Sequence, residues 1–418
     1  MFKKIRLENG LRIITVPSKG TQTVTVLVLV GTGSKYEKKE ENGISHFLEH
    51  MYFKGTKKRP SSLEVAEALD KVGGIYNAFT SQEYTGYFAK VSKEHFNLAL
   101  DWVSDIFLNS TLPEKEIEKE RGVIIEEINM RKDHPMEHVQ VLWQKVLYGD
   151  QPAGWDIAGT VETVSRISRK DLIKYRDTHY VASNTIVCLA GNFNERLGVE
   201  KVKKYFSKIR IGKSREKPKV IEKQNKPEIL FEKRDTDQTH ICLGVRGFNL
   251  FDERRYVQEI LGLILGGMMS SRLFEKIRTK LGIAYYIETE AFSDPDTGYL
   301  VTRAGLSNEK LEEGISEILK EYKKIKRDGV SKYELKKAKD YIKGKINILL
   351  ESSDAKASFF AFQEILEKKI STPKEIFAKI DKVSRNDILK LAREIFKPEK
   401  LNLALIGPKG VKQEILKL

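Results

Sequence analysis

Residues Gly43 to Thr56 read GISHFLEHMYFKGT. At their centre, His46-Phe47-Leu48-Glu49-His50 sets two imidazoles and a carboxylate in an otherwise apolar run. Burying three titratable side chains costs several kcal/mol unless something compensates. On a helix, His46 and His50 lie one turn apart and stack on one face, and Glu49 can share that side. Two neutral imidazoles so placed are natural zinc ligands. A neighbouring carboxylate that is not itself a ligand can take a proton from water activated by the metal. The competing reading is two histidines satisfied in a core or at a surface.

A catalytic zinc wants a third protein ligand and an open fourth position. The predicted helix PEKEIEKERGVIIEEINMRK, opened by Pro113, offers several glutamates. With Ile124 taken as the core direction and about 100° per residue, Ile117 and Ile128 fall within roughly 40° of it. Glu127 and Glu120 fall about 60° and 40° to the other side, and Glu126 about 160° away on the solvated face. Helical phase therefore selects Glu127 as the ligand, with Glu120 supporting the site from one heptad earlier.

The chain as a whole has 418 residues, 40% hydrophobic and 32% charged, a globular composition with room for about two to three domains. No run of about 18 apolar residues is present, so no membrane association is expected. The opening MFKKIRLENGLRIITVP lacks a signal-peptide core and reads as a strand pair around Asn9-Gly10. A cytoplasmic setting follows as an expectation. The two cysteines, Cys188 and Cys242, sit in apolar strand-like runs and read as buried reduced thiols. Lys plus Arg outnumber Asp plus Glu 74 to 59. The lysines are interleaved with glutamates along helices, so the excess reads as solvated helix faces and no specific nucleic-acid partner is expected.

The stretch Ile211–Glu228 is charged, carries two prolines and lacks periodicity, as a linker does. On either side the order of strands and helices repeats. Each half opens with two strands, continues through helices to a strand pair, and closes on an apolar strand, TIVCLAGN or LNLALIGP. The expected fold is α+β: two duplicated domains, each a mostly antiparallel sheet with helices packed on it, facing each other across a cleft. The expected bounds are 1–210, a linker at 211–228, and 229–418. Ser61-Ser62-Leu63-Glu64 is a capping box and predicts a helix start.

His-x-x-Glu-His is the order of the inverted zinc-peptidase motif. Followed by Glu120-Arg121-Gly122-Val123-Ile124-Ile125-Glu126-Glu127, it resembles the pitrilysin family of zinc peptidases, which includes insulin-degrading enzyme and the mitochondrial processing peptidase. The resemblance implies one zinc ion per chain held by His46, His50 and Glu127, with Glu49 as general base and Glu120 in support. GGIYNAFTSQEYTGYF resembles the family's substrate-pairing edge strand, which implicates Asn77, Ala78, Phe79 and Thr80. SSRLFEKIRTKLGIAYYI resembles its Arg…Tyr element, giving Arg278 and Tyr285 as groups that contact the substrate carbonyl and the developing oxyanion. Tyr286 would point to the opposite face of the strand. The likeness is to the shorter branch, whose chains pair two by two, so a homodimer acting on peptides or unfolded polypeptide is expected. The alternative is a non-catalytic, partner-binding subunit of a peptidase complex.

Overall fold

The computed structural model describes residues 2–417. The chain starts with a hairpin, β1 (Lys3–Arg6) against β2 (Arg12–Pro17), turned through a Gly10 N–H to Leu7 carbonyl bond of 2.9 Å. In β3 (Thr23–Val30), TVTVLVLV is apolar at most positions because both of its faces are covered. Val24, Val26, Val28 and Val30 join one core, whereas Leu27 and Leu29 join another on the opposite face. A second hairpin, β4 (Ile75–Thr80) and β5 (Thr85–Ser92), extends the sheet, and β6 (Thr185–Gly191) returns to its middle. The order is β1-β2-β6-β3-β5-β4, antiparallel except for the parallel pair β2/β6. Among the described residues, no strand pairs with the outer edge of β4.

The helices α1 (Ile44–Met51), α2 (Ser62–Asp70) and α3 (Phe96–Asn109) lie between these strands in sequence, and their apolar side chains fill the valine-lined core. The predicted capping box holds at the start of α2, where Ser61 Oγ accepts from the Glu64 N–H and Glu64 reaches back to the Ser61 N–H. Next come α4 (Glu114–Asp133) and α5 (Pro135–Tyr148).

The second sheet is built from β7 (Glu228–Lys233), β8 (Gln238–Arg246), β9 (Ala284–Ser293), β10 (Gly298–Ser307) and β11 (Leu401–Gly407). Its order, β7-β11-β8-β10-β9, repeats the first sheet without β1. Here too a single parallel pair, β7/β11, sits among antiparallel ones. The duplication expected from element order is thus a duplication of strand topology, and the fold is α+β.

The two compact units do not follow the chain in order. The first gathers residues up to Asn129, Asp156–Pro218 and Ile346–Ser371, and the second Met130–Trp155, Lys219–Lys345 and residues from Thr372 onward. The expected bounds of 1–210 and 229–418 put 130–155 and 346–371 in the opposite halves. Packing explains the difference. The α5 residues Val139, Leu142, Trp143 and Leu147 cover Cys242, Val301, Ala404 and Ile406 of the second sheet. The helix Ser353–Glu367 covers Ile14, Val16, Leu27, Leu29, Ile186 and Cys188 of the first through Ala357, Phe360 and Ala361. Both cysteines are free and buried in these interfaces. Among the described residues, no helix is long and apolar enough to cross a membrane.

Candidate metal centre

A buried carboxylate sets the first turn of α1. Glu37 accepts the Gly43 N–H (2.8 Å), the Ser45 N–H (2.8 Å) and the Asn42 amide (2.9 Å), satisfying donors that a helix start otherwise leaves open. Gly43 has φ +97°, and a Cβ there would come 2.6 Å from the Ala158 carbonyl, so no other residue fits the entry to α1. Ile44, Phe47, Leu48 and Met51 are buried on one side of the helix and anchor it in the core. Arg121 then ties α4 to α1: its guanidinium lies over the Phe47 ring at 5.6 Å and donates to the Val164 carbonyl and, at 3.0 Å, to that of Ile167.

This arrangement brings His46, His50 and Glu127 together, one potential ligand atom from each lying within 4.8 Å of the others. Nε2 of His46 and Nε2 of His50 are each 3.6 Å from the same Glu127 oxygen. Tetrahedral ligands bound at about 2.0–2.2 Å are roughly 3.4 Å apart, so two imidazoles and one carboxylate are spaced as a zinc-like ion requires. Among the described residues, no other group of three such side chains meets this condition. Glu126, one residue away on α4, is exposed. In the second unit the helix after β8, Arg255–Leu265 (RYVQEILGLIL), carries no histidine.

The remaining polar groups are arranged around this triad. Glu120 is buried and places one oxygen 3.1 Å from His50 Nδ1 and the other 2.5 Å from Lys54 Nζ. A neutral His50 donating from Nδ1 keeps its Nε2 lone pair toward Glu127. Burial opposes ionisation of Glu120, but the hydrogen bonds from His50 and Lys54 outweigh it and hold the carboxyl below its usual range. Glu49 stands beside the triad, its Oε2 accepting from Thr80 Oγ1 at 2.5 Å. Burial raises its pKa, against the Thr80 hydrogen bond and the charge of His50.

Thr80 ends β4, the edge strand. Ala78 and Thr80 share the face toward α1, while Phe79 turns to the other face, where its ring meets Phe362 at 5.8 Å and Tyr84 at 6.0 Å. Asn77 Oδ1 accepts from the Ala78 N–H at 2.8 Å. In the second unit, the expected helix before β9 is π-wound over Phe274–Lys280, and the Leu281 N–H reaches the Lys276 carbonyl five residues back. It carries Arg278, exposed, with its guanidinium 4.7 Å from the Phe274 ring centre. Tyr285 is 74% exposed, whereas Tyr286 turns inward and its hydroxyl is 3.1 Å from His240 Nδ1. His138 pairs with Glu232 at 3.0 Å, and the buried His179 meets Ser214 at 2.8 Å.

Sequence reasoning missed Glu37 and Lys54. Lys54 stands four residues past His50 within the quoted stretch, a spacing that could have drawn attention to it. Glu37 precedes α1 in a loop without periodicity and leaves no such signal.

The sequence profile described as Insulinase (Peptidase family M16) matches residues 12–161, and that of the Peptidase M16 inactive domain matches residues 166–342. A protein of Bacillus subtilis named an uncharacterized zinc protease is 38% identical over 98% of this chain and 99% of its own length. The chain belongs to peptidase family M16. A second M16 relative, from Rickettsia bellii and also named an uncharacterized zinc protease, is 34% identical over 98% of both chains. The solved structure of a protease from Helicobacter pylori superposes with a TM-score of 0.91 at 25% identity, covering 98% of this chain and 99% of that one. The second profile is the one named for an inactive domain, and the helix Arg255–Leu265 within its range carries no histidine.

Proposed function

We propose that this chain is a zinc-dependent endopeptidase acting on extended peptides or unfolded segments of polypeptide. The observation that carries the reading is the pair of equal 3.6 Å spacings from His46 and His50 to one Glu127 oxygen, with Glu49 beside the triad. His46, His50 and Glu127 hold one zinc ion per chain, and Glu120 orients His50. Zinc, when bound, acidifies a water molecule and polarises the scissile carbonyl.

The protein's own groups do the rest. Glu49 accepts the proton of the attacking water and delivers it to the leaving amine; burial raises its pKa, which favours proton uptake. The free edge of β4 pairs with substrate backbone at Asn77 and Ala78, an arrangement that favours extended chains and makes little demand on side chains. Tyr285 donates to the developing oxyanion and Arg278 to a substrate carbonyl; the exposure of both side chains supports these roles. Two copies pair as a homodimer in the cytoplasm, a setting that suits the two free thiols.

The test is digestion of a peptide library and of an unfolded protein before and after chelation, with the oligomer sized by sedimentation. Cleavage lost on chelation and restored by stoichiometric zinc supports the proposal. Bound zinc without cleavage of any peptide would make the chain a binding subunit instead.

A further inference from the structure

The Thr80 hydroxyl, at the end of the edge strand β4, is aimed at Glu49. We propose that Thr80 is a positioning residue: its hydrogen bond holds the Glu49 carboxylate as a base and keeps it from closing on the metal as a fourth ligand. The inference rests on the zinc-peptidase reading and assigns to Thr80 a task beyond lining the substrate strand.

Three observations carry it. First, the Thr80 Oγ1 to Glu49 Oε2 contact is 2.5 Å, and Glu49 is not one of the three residues whose ligand atoms cluster within 4.8 Å. Glu49 neighbours His50 in sequence, and an ionised carboxylate so close to a divalent cation is drawn toward it unless another partner holds it.

Second, the hydroxyl is presented from a fixed place. The turn after Thr80 is closed by the Ser81 N–H to Tyr84 carbonyl bond (2.8 Å), and Ser81 Oγ takes the N–H groups of Glu83 and Tyr84, both at 3.1 Å. The Ser34 and Lys35 N–H groups bond the Ser81 and Gln82 carbonyls at 3.1 and 3.0 Å. That close approach needs Gly33, where a Cβ would lie 2.1 Å from the Ser81 carbonyl oxygen. The buried Lys35–Glu83 pair at 3.0 Å pins the same turn. Third, threonine is β-branched and has few χ1 choices, so the hydroxyl direction follows from the backbone.

A fourth protein ligand would occupy the position that a catalytic zinc must leave open. Loss of the hydroxyl should therefore act on turnover and on the coordination of the metal, and leave substrate binding alone.

The experiment compares wild type, Thr80→Val, Thr80→Ser and the double variant Thr80→Val/Glu49→Gln. Steady-state peptide cleavage and the visible absorption of the cobalt(II)-substituted proteins are both read. Valine keeps the shape and removes the donor; serine keeps the donor. In Thr80→Val we expect kcat to fall by about 10- to 100-fold with KM unchanged, as for a misplaced catalytic group. Its cobalt bands should shift from the wild-type positions, as a carboxylate replaces water at the fourth position. Thr80→Ser should stay near wild type in both readouts, and the double variant should regain the wild-type spectrum. A wild-type spectrum in Thr80→Val, or a loss confined to KM and shared by Thr80→Ser, would overturn the inference. If the wild type cleaves nothing, the peptidase reading fails by itself, and the cobalt spectra still decide whether Thr80 holds Glu49 away from the metal.

Discussion

Glu120 is the partner of His50: its Oε2 lies 3.1 Å from the imidazole Nδ1, while Lys54 occupies its other oxygen at 2.5 Å. Removing the acceptor leaves His50 free to turn or to change tautomer. Glu120→Ala should therefore fold normally but bind zinc about 10- to 100-fold more weakly, measured by competition with a chromophoric chelator. Unchanged affinity would mean that His50 is held by packing alone.

The three donors gathered on Glu37 make α1 sensitive to this one carboxylate. A buried donor left without an acceptor costs about 1–3 kcal/mol, so Glu37→Ala should destabilise the protein by roughly 3 kcal/mol or more. Urea unfolding should show it as a lowered midpoint, with Glu37→Gln falling between alanine and wild type. A midpoint equal to wild type in Glu37→Ala would show that α1 does not depend on this cap.

His179 is buried between Tyr36 and Tyr175, and burial together with the Arg215 charge pushes its pKa down from 6.5 to about 4. Its folded pKa lies below its unfolded one, so the native state favours the neutral ring. Above pH 6.5 the group has no effect on stability; from there down to about pH 4 the native state progressively loses ground. The full effect is roughly 3 kcal/mol. The melting temperature should fall as pH is lowered across that range in wild type, and fall less in His179→Gln.

The exchange of helices between halves predicts that residues 1–218 will not fold alone. Without Ser353–Glu367, the face carrying Ile14, Val16, Leu27, Leu29 and Ile186 is uncovered. Burial of a side chain such as Phe360 is worth about 2 kcal/mol. The fragment should bind a hydrophobic dye and melt without cooperativity, and co-expression with the rest of the chain should restore the transition. A cooperative melt for the isolated fragment would contradict the packing described.

Much of this was legible before any coordinates. The period of 3.6 residues separates Glu127 from Glu126, because one follows Ile124 toward the core and the other points to water. The repeated order of elements reveals two matching sheets. Other features were not legible, for definite reasons. An amphipathic helix shows that it needs a partner but not which sheet supplies it, so the exchange of α5 and Ser353–Glu367 left no trace. Glu37 and the Thr80 hydroxyl act through side chains whose directions depend on irregular loops. The quoted stretch shows Lys54, but nothing in it says that the lysine reaches Glu120, 66 residues further along the chain.

The proposed function makes Glu49 a base beside a metal held by His46, His50 and Glu127. Its most direct test is Glu49→Gln, assayed for zinc content and for peptide cleavage on the same preparation. Zinc should be retained at about one ion per chain and cleavage reduced to background, because only the proton acceptor is lost. A variant that still cleaves at the wild-type rate, or a wild type that binds no zinc, would contradict it.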